Sequence, residues 1–65
     1  MTLAERVNTR LRERLAETKT KSQVMRLMAQ MIYFKSKIHF SGHEMMQMEA
    51  LQNDAETKLR ETSPS

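Results

Sequence analysis

Apolar residues recur along this chain in runs of helical spacing, set apart by short polar stretches. Leu3, Val7, Leu11 and Leu15 step four residues at a time among charged neighbours, which predicts a helix with one narrow apolar stripe. A denser run follows, in which Val24, Leu27, Met31, Phe34 and Ile38 alternate steps of three and four while Met25, Met28 and Ile32 widen the face. This is the expected core segment. A last run puts Met45, Met48, Leu51, Ala55 and Leu59 on one side and leaves Glu44, Glu49, Asp54, Glu56 and Lys58 to solvent.

Candidate helix starts are marked by capping boxes at Thr2 with Glu5, Thr20 with Gln23, and Ser41 with Glu44, each a hydroxyl followed three residues later by Glu or Gln, the first and third being the stronger. Residues 18–22 contain neither Gly nor Pro, although Thr and Ser are poor helix formers. Leu15, Thr18, Ser22 and Met25 keep the stripe's spacing across them, which favours one long helix, with a break near residues 18–22 as the alternative. The clear punctuation is His39-Phe40-Ser41-Gly42. Gly42 is the only glycine, free to take positive φ, and either closes the first helix or opens the next. The expectation is an all-α, antiparallel helical hairpin of two long helices in a single domain over residues 1–61, with a disordered tail at 62–65.

Chain length changes that picture. A folded chain of 65 residues buries only about 60% of the surface it exposes when unfolded, so a solitary core is marginal. There is no cysteine to provide a disulfide or a thiolate metal site. Self-association is the remaining way to complete the core, and two hairpins pairing as a homodimeric four-helix arrangement would cover the wide stripe. On this reading the core and dimer interface draw on Val24, Leu27, Met28, Met31, Phe34, Ile38, Met45, Met48, Leu51 and Leu59.

The formal net charge of +3 conceals two opposite halves. Residues 1–40 carry nine Lys/Arg and three Glu, and residues 41–65 carry two Lys/Arg and five Asp/Glu. The simple consequence is that the basic and acidic parts pair within or between subunits and favour antiparallel packing. Arg26 and Gln30 interrupt the longest apolar region, which falls short of a membrane span, and charged residues break up any signal-peptide pattern near the start. The expected setting is the cytoplasm, with no membrane contact.

Candidate chemistry is sparse. His39 and His43 have the i,i+4 spacing of helical metal ligands, but Gly42 falls between them and solvated histidines explain them better. Ser22, Ser36 and Ser41 belong to no triad or nucleophile elbow, and one glycine does not build a phosphate loop. Neither an enzyme nor a cofactor is expected.

Arg6, Arg10 and Arg14 repeat at i,i+4, and Arg12, Lys19 and Lys21 add charge, which suits phosphates or an acidic protein. The interspersed Glu5, Glu13 and Glu17 equally suit a solvated helix laced with ion pairs. Methionines fill irregular cores, yet Met46 with Met25 and Met28 also suits an adaptable groove for a partner helix.

Thr2-Leu3-Ala4-Glu5-Arg6-Val7 resembles the opening helix of phage repressor-type helix-turn-helix proteins, and Lys21-Ser22-Gln23-Val24-Met25-Arg26-Leu27 resembles their second helix. The apolar Met31-Ile32-Tyr33-Phe34 then stands where a glycine turn and a polar recognition helix would follow. As a whole, the short Met-rich helix-loop-helix chain is similar to small accessory proteins encoded in early regions of temperate, lambda-like phages. That resemblance implies a non-enzymatic modulator of host or phage processes. The functional expectation is therefore a homodimer that binds another macromolecule, most simply a host or phage protein, with a small nucleic-acid-binding regulator as the alternative.

Overall fold

The computed structural model describes residues 1–62, and they form α1 (Leu3–Glu17), α2 (Lys21–Lys37) and α3 (Gly42–Glu61). All three capping boxes are made. The hydroxyls of Thr2, Thr20 and Ser41 accept the backbone N–H of Glu5, Gln23 and Glu44, and each N3 side chain accepts in return from its N-cap backbone. Two of a helix's four orphan N–H groups are thereby satisfied at each start.

The second box overturns the expectation of a continuous first helix. Thr18 and Thr20 are both extended, at φ −70°, ψ 143° and φ −121°, ψ 159°. At this corner the Leu15 carbonyl accepts the Thr18 N–H at 3.2 Å and the Thr18 hydroxyl at 2.6 Å, while Gln23 Oε1 takes the Lys19 N–H at 2.7 Å. Local side-chain bonds thus replace the helical ladder in a Thr/Ser/Lys stretch whose propensity opposes it only weakly. The basic α1 folds back onto the other helices, and all three pairs are in contact.

Residues 38–41 make the second corner without any positive φ. Ile38 and Ser41 are extended, and Gly42 is simply the first residue of α3, with open space where a Cβ would stand. The glycine's conformational freedom is not used. Phe40 turns inward from this corner and is buried.

Thr2 and Asn8 of α1 meet Glu44 near the start of α3, while Leu15 meets Lys58 towards its end, so α1 and α3 run side by side in the same direction. The bundle is elongated, 36 × 18 × 14 Å. Its core holds Ala4, Leu11, Leu15, Val24, Leu27, Met31, Phe40, Met48, Leu51 and Ala55. Of the expected core set, Val24, Leu27, Met31, Met48 and Leu51 are buried, and Met28, Phe34, Ile38, Met45 and Leu59 pack half-buried around them.

On α1 the buried face is not the four-residue stripe. Ala4, Asn8, Leu11 and Leu15 line it at 4-3-4 spacing, while Val7 is half-buried and Leu3 is 59% exposed. Four-residue steps drift around a 3.6-residue turn, so Leu3 and Leu15 cannot both face one core. Asn8 occupies a core position: its Nδ2 donates to the Glu44 carbonyl at 3.2 Å, and its Oδ1 is buried without a partner among the described residues. The expected tail lies outside the described residues except for Thr62, whose N–H and hydroxyl close α3 on the Lys58 carbonyl at 2.9 and 2.6 Å.

Candidate macromolecule-binding site

The i,i+4 series Arg6, Arg10 and Arg14 lies along the flank of α1 that turns toward α2. With Leu3, Val7, Leu11 and Phe34 these arginines line an open groove of about 300 Å³. Leu3, Val7 and Phe34 form its apolar floor, Leu3 and Val7 left partly uncovered because the drifting stripe of α1 carries them out of the core. The arginines form its rim. At the α1–α2 corner a second depression of about 280 Å³ continues it between Arg14, Glu17, Thr18, Gln23, Arg26 and Leu27. Basic side chains thus follow both helices beside an apolar strip.

The remaining basic candidates are not brought to this groove. Arg12 is two residues from both Arg10 and Arg14 and points around the helix from them. Lys19 is exposed in the corner, and Lys21 is half-buried at the start of α2. Comparison with protein-family models, curated proteins and solved structures finds no match.

Within the chain, three cations that tie one helix to another meet neutral acceptors and not the carboxylates of the acidic part. Arg14 Nη1 donates to Gln30 Oε1 at 2.6 Å, Lys35 Nζ to Gln52 Oε1 at 3.0 Å, and Lys58 Nζ to the Leu15 carbonyl at 2.5 Å. In each, the acceptor is neutral. Lys58 was expected to stay in water but instead places its cation at the C-terminal end of α1, where the helix dipole favours it.

Glu44, also expected in water, is buried. Its carboxylate accepts the Thr2 hydroxyl as well as the Ser41 N–H, the latter at 2.9 Å. The Thr2 hydroxyl, followed by the Ser41 N–H, holds this carboxyl below its ordinary 4.5, against burial, which pushes it up; the Ser41 hydroxyl and the His39 charge add to the lowering. The capping pattern was legible in the sequence, but nothing in it said that Glu44 would serve two helices.

His39 and His43 are both exposed, and His43 Nε2 lies 3.2 Å from Gln47 Nε2. Among the described residues no group of three or more His, Cys, Asp or Glu is arranged to hold a metal ion. Nor is any helix among them long and apolar enough to cross a membrane. Tyr33, 57% exposed, meets Phe34 edge-on with ring centroids 5.5 Å apart, and Lys37 Nζ lies 5.9 Å from the Tyr33 centroid.

Proposed function

We propose that this chain is a small, non-enzymatic regulatory or accessory protein that acts as a homodimer and docks an acidic, amphipathic segment of another protein in the α1–α2 groove. The observation that supports the reading is the pairing of an apolar floor, Leu3, Val7 and Phe34, with a rim of Arg6, Arg10 and Arg14. A helix with an apolar stripe between carboxylates complements both parts, the stripe supplying affinity and the charges steering encounter. On the resemblance to temperate-phage accessory proteins, that partner is a host or phage protein. In the dimer, α2 and α3 serve as the hairpin, and two hairpins make the four-helix arrangement.

Nucleic-acid binding is the second reading, favoured by the regular spacing of Arg6, Arg10 and Arg14 on one flank. The two are separated by anisotropy titrations with a labelled acidic amphipathic peptide and a labelled mixed-sequence DNA duplex. Protein docking requires that both Arg10→Glu/Arg14→Glu and the floor variant Leu3→Ser/Val7→Ser weaken peptide binding. Tighter binding of the duplex, lost in the arginine variant and untouched in the floor variant, would instead establish the nucleic-acid reading. Binding of neither probe would remove the groove as a site.

A further inference from the structure

The α2–α3 side of the bundle, away from α1, carries a different surface. The contact from Lys35 to Gln52 marks where this flank of α2 meets α3. Lys21, Met28 and Lys35 repeat every seven residues along it, with Met25 and Ile32 beside them at 59% and 62% exposure. On α3 the corresponding flank presents Met45, half-buried, and Met46, 69% exposed, together with Glu49 and Glu56, which are seven residues apart and both exposed.

The charges on this side are segregated by helix as far as Glu56, with Arg60 one turn beyond it on α3. From Lys21 to Lys37 α2 has Lys21, Arg26, Lys35 and Lys37 and no carboxylate, whereas α3 supplies both acids on this side. A twofold dimer requires a self-complementary patch, in which whatever α2 offers must suit α3 of the partner and the reverse. Packing α2 on α2 would set lysines against lysines. Packing α2 on α3 sets Lys21 and Lys35, fourteen residues apart, astride the seven-residue pair Glu49 and Glu56, with an offset of about 5 Å at each end for the long side chains to span, twice by symmetry, and with methionines and Ile32 between them.

We infer that this α2–α3 face is the homodimer interface, and that its occupant is the same face of a second copy, with each α2 lying against the partner's α3. The inference rests on the homodimer part of the proposed function and is independent of what fills the α1–α2 groove. It also assigns the methionines: Met31 and Met48 fill the monomer core, while Met25, Met28, Met45 and Met46 supply an apolar contact that adapts to its neighbour.

The charge pattern dictates the test. The variants Lys21→Glu/Lys35→Glu and Glu49→Lys/Glu56→Lys each place like charges across the twofold, whereas a mixture of the two restores attraction at both contacts. Sedimentation equilibrium at micromolar concentration should give a dimer for the wild type. Each variant alone should be weakened by at least about tenfold, and the mixture should give a heterodimer. Ile32→Glu, at an exposed position, should dissociate the dimer while far-UV circular dichroism and the melting curve show it folded. A monomeric wild type would overturn this inference and the homodimer reading together. A wild-type dimer indifferent to all these changes, or a mixture that does not pair, would overturn this face alone.

Discussion

The Glu44 carboxylate accepts the Thr2 hydroxyl, which joins the capping box of α3 to that of α1. Two helices that run in the same direction bring their positive N-terminal ends together, and one buried carboxylate answers both. Fourteen residues on, Lys58 reaches the Leu15 carbonyl at the other end of the pair. The parallel arrangement of α1 and α3 is thus held at each end by a charge of the sign that the helix dipole calls for.

Glu44 gives the fold a specific acid sensitivity. Its folded-state pKa lies below its ordinary 4.5, so its contribution is fully present above that value and is lost as pH falls through the lower folded-state value. Denaturation of wild type and Glu44→Gln from about pH 7 to about pH 3 should show the wild type more stable near neutrality and the difference closing in acid. A difference that stays constant across this range would remove Glu44 from the acid response. Thr2→Ala should cost about 1 kcal/mol at neutral pH, since it removes a helix cap.

Asn8 is 2% exposed and its Oδ1 has no partner, whereas the Glu44 carbonyl it donates to belongs to the α3 backbone. Leu has the same branched outline without the orphaned acceptor. Asn8→Leu should stabilise the protein by about 1 kcal/mol, read as an upward shift of the melting temperature. A loss of stability would mean that Asn8 contributes more through its Glu44 bond than its unpaired oxygen costs.

Gly42 needs neither positive φ nor space, because a Cβ there would meet nothing within 4 Å. Gly42→Ala should therefore stabilise by about 0.4–1 kcal/mol through the unfolded chain, measurable by urea denaturation. Destabilisation would show that this corner uses glycine's freedom after all.

Phe40 stands 7% exposed in a corner, and Tyr33 stands 57% exposed on a helix. Phe40→Ala should cost about 3–5 kcal/mol and Tyr33→Ala at most about 0.5 kcal/mol. Equal effects in thermal melts would contradict this assignment of the core.

Local features were legible in the chain because the interactions that create them are local. Each capping box is read from residues three positions apart, and the 3-4 spacing of Val24, Leu27 and Met31 places them in the core whatever lies opposite. Where the sequence pattern misled, the deciding interaction was distant or a local balance was close. Continuity across residues 18–22 was a contest between a preserved stripe and two threonine bonds to the Leu15 carbonyl and Gln23 amide, and spacing alone could not weigh it.

The sequence by itself determined an all-α chain, the helix starts at Thr2 and Ser41, the segregation of charge, and which methionine-rich segment would form the core. Only the tertiary structure decided that α1 folds back as a third helix, that Asn8, Phe40 and Glu44 are buried, and that Arg6, Arg10 and Arg14 border an apolar groove while Arg12 does not. The physical reason is directional. Periodicity says which residues share a face, but the element that covers that face comes from far along the chain, and its arrival determines which drifting leucine is buried and which polar side chain finds a partner.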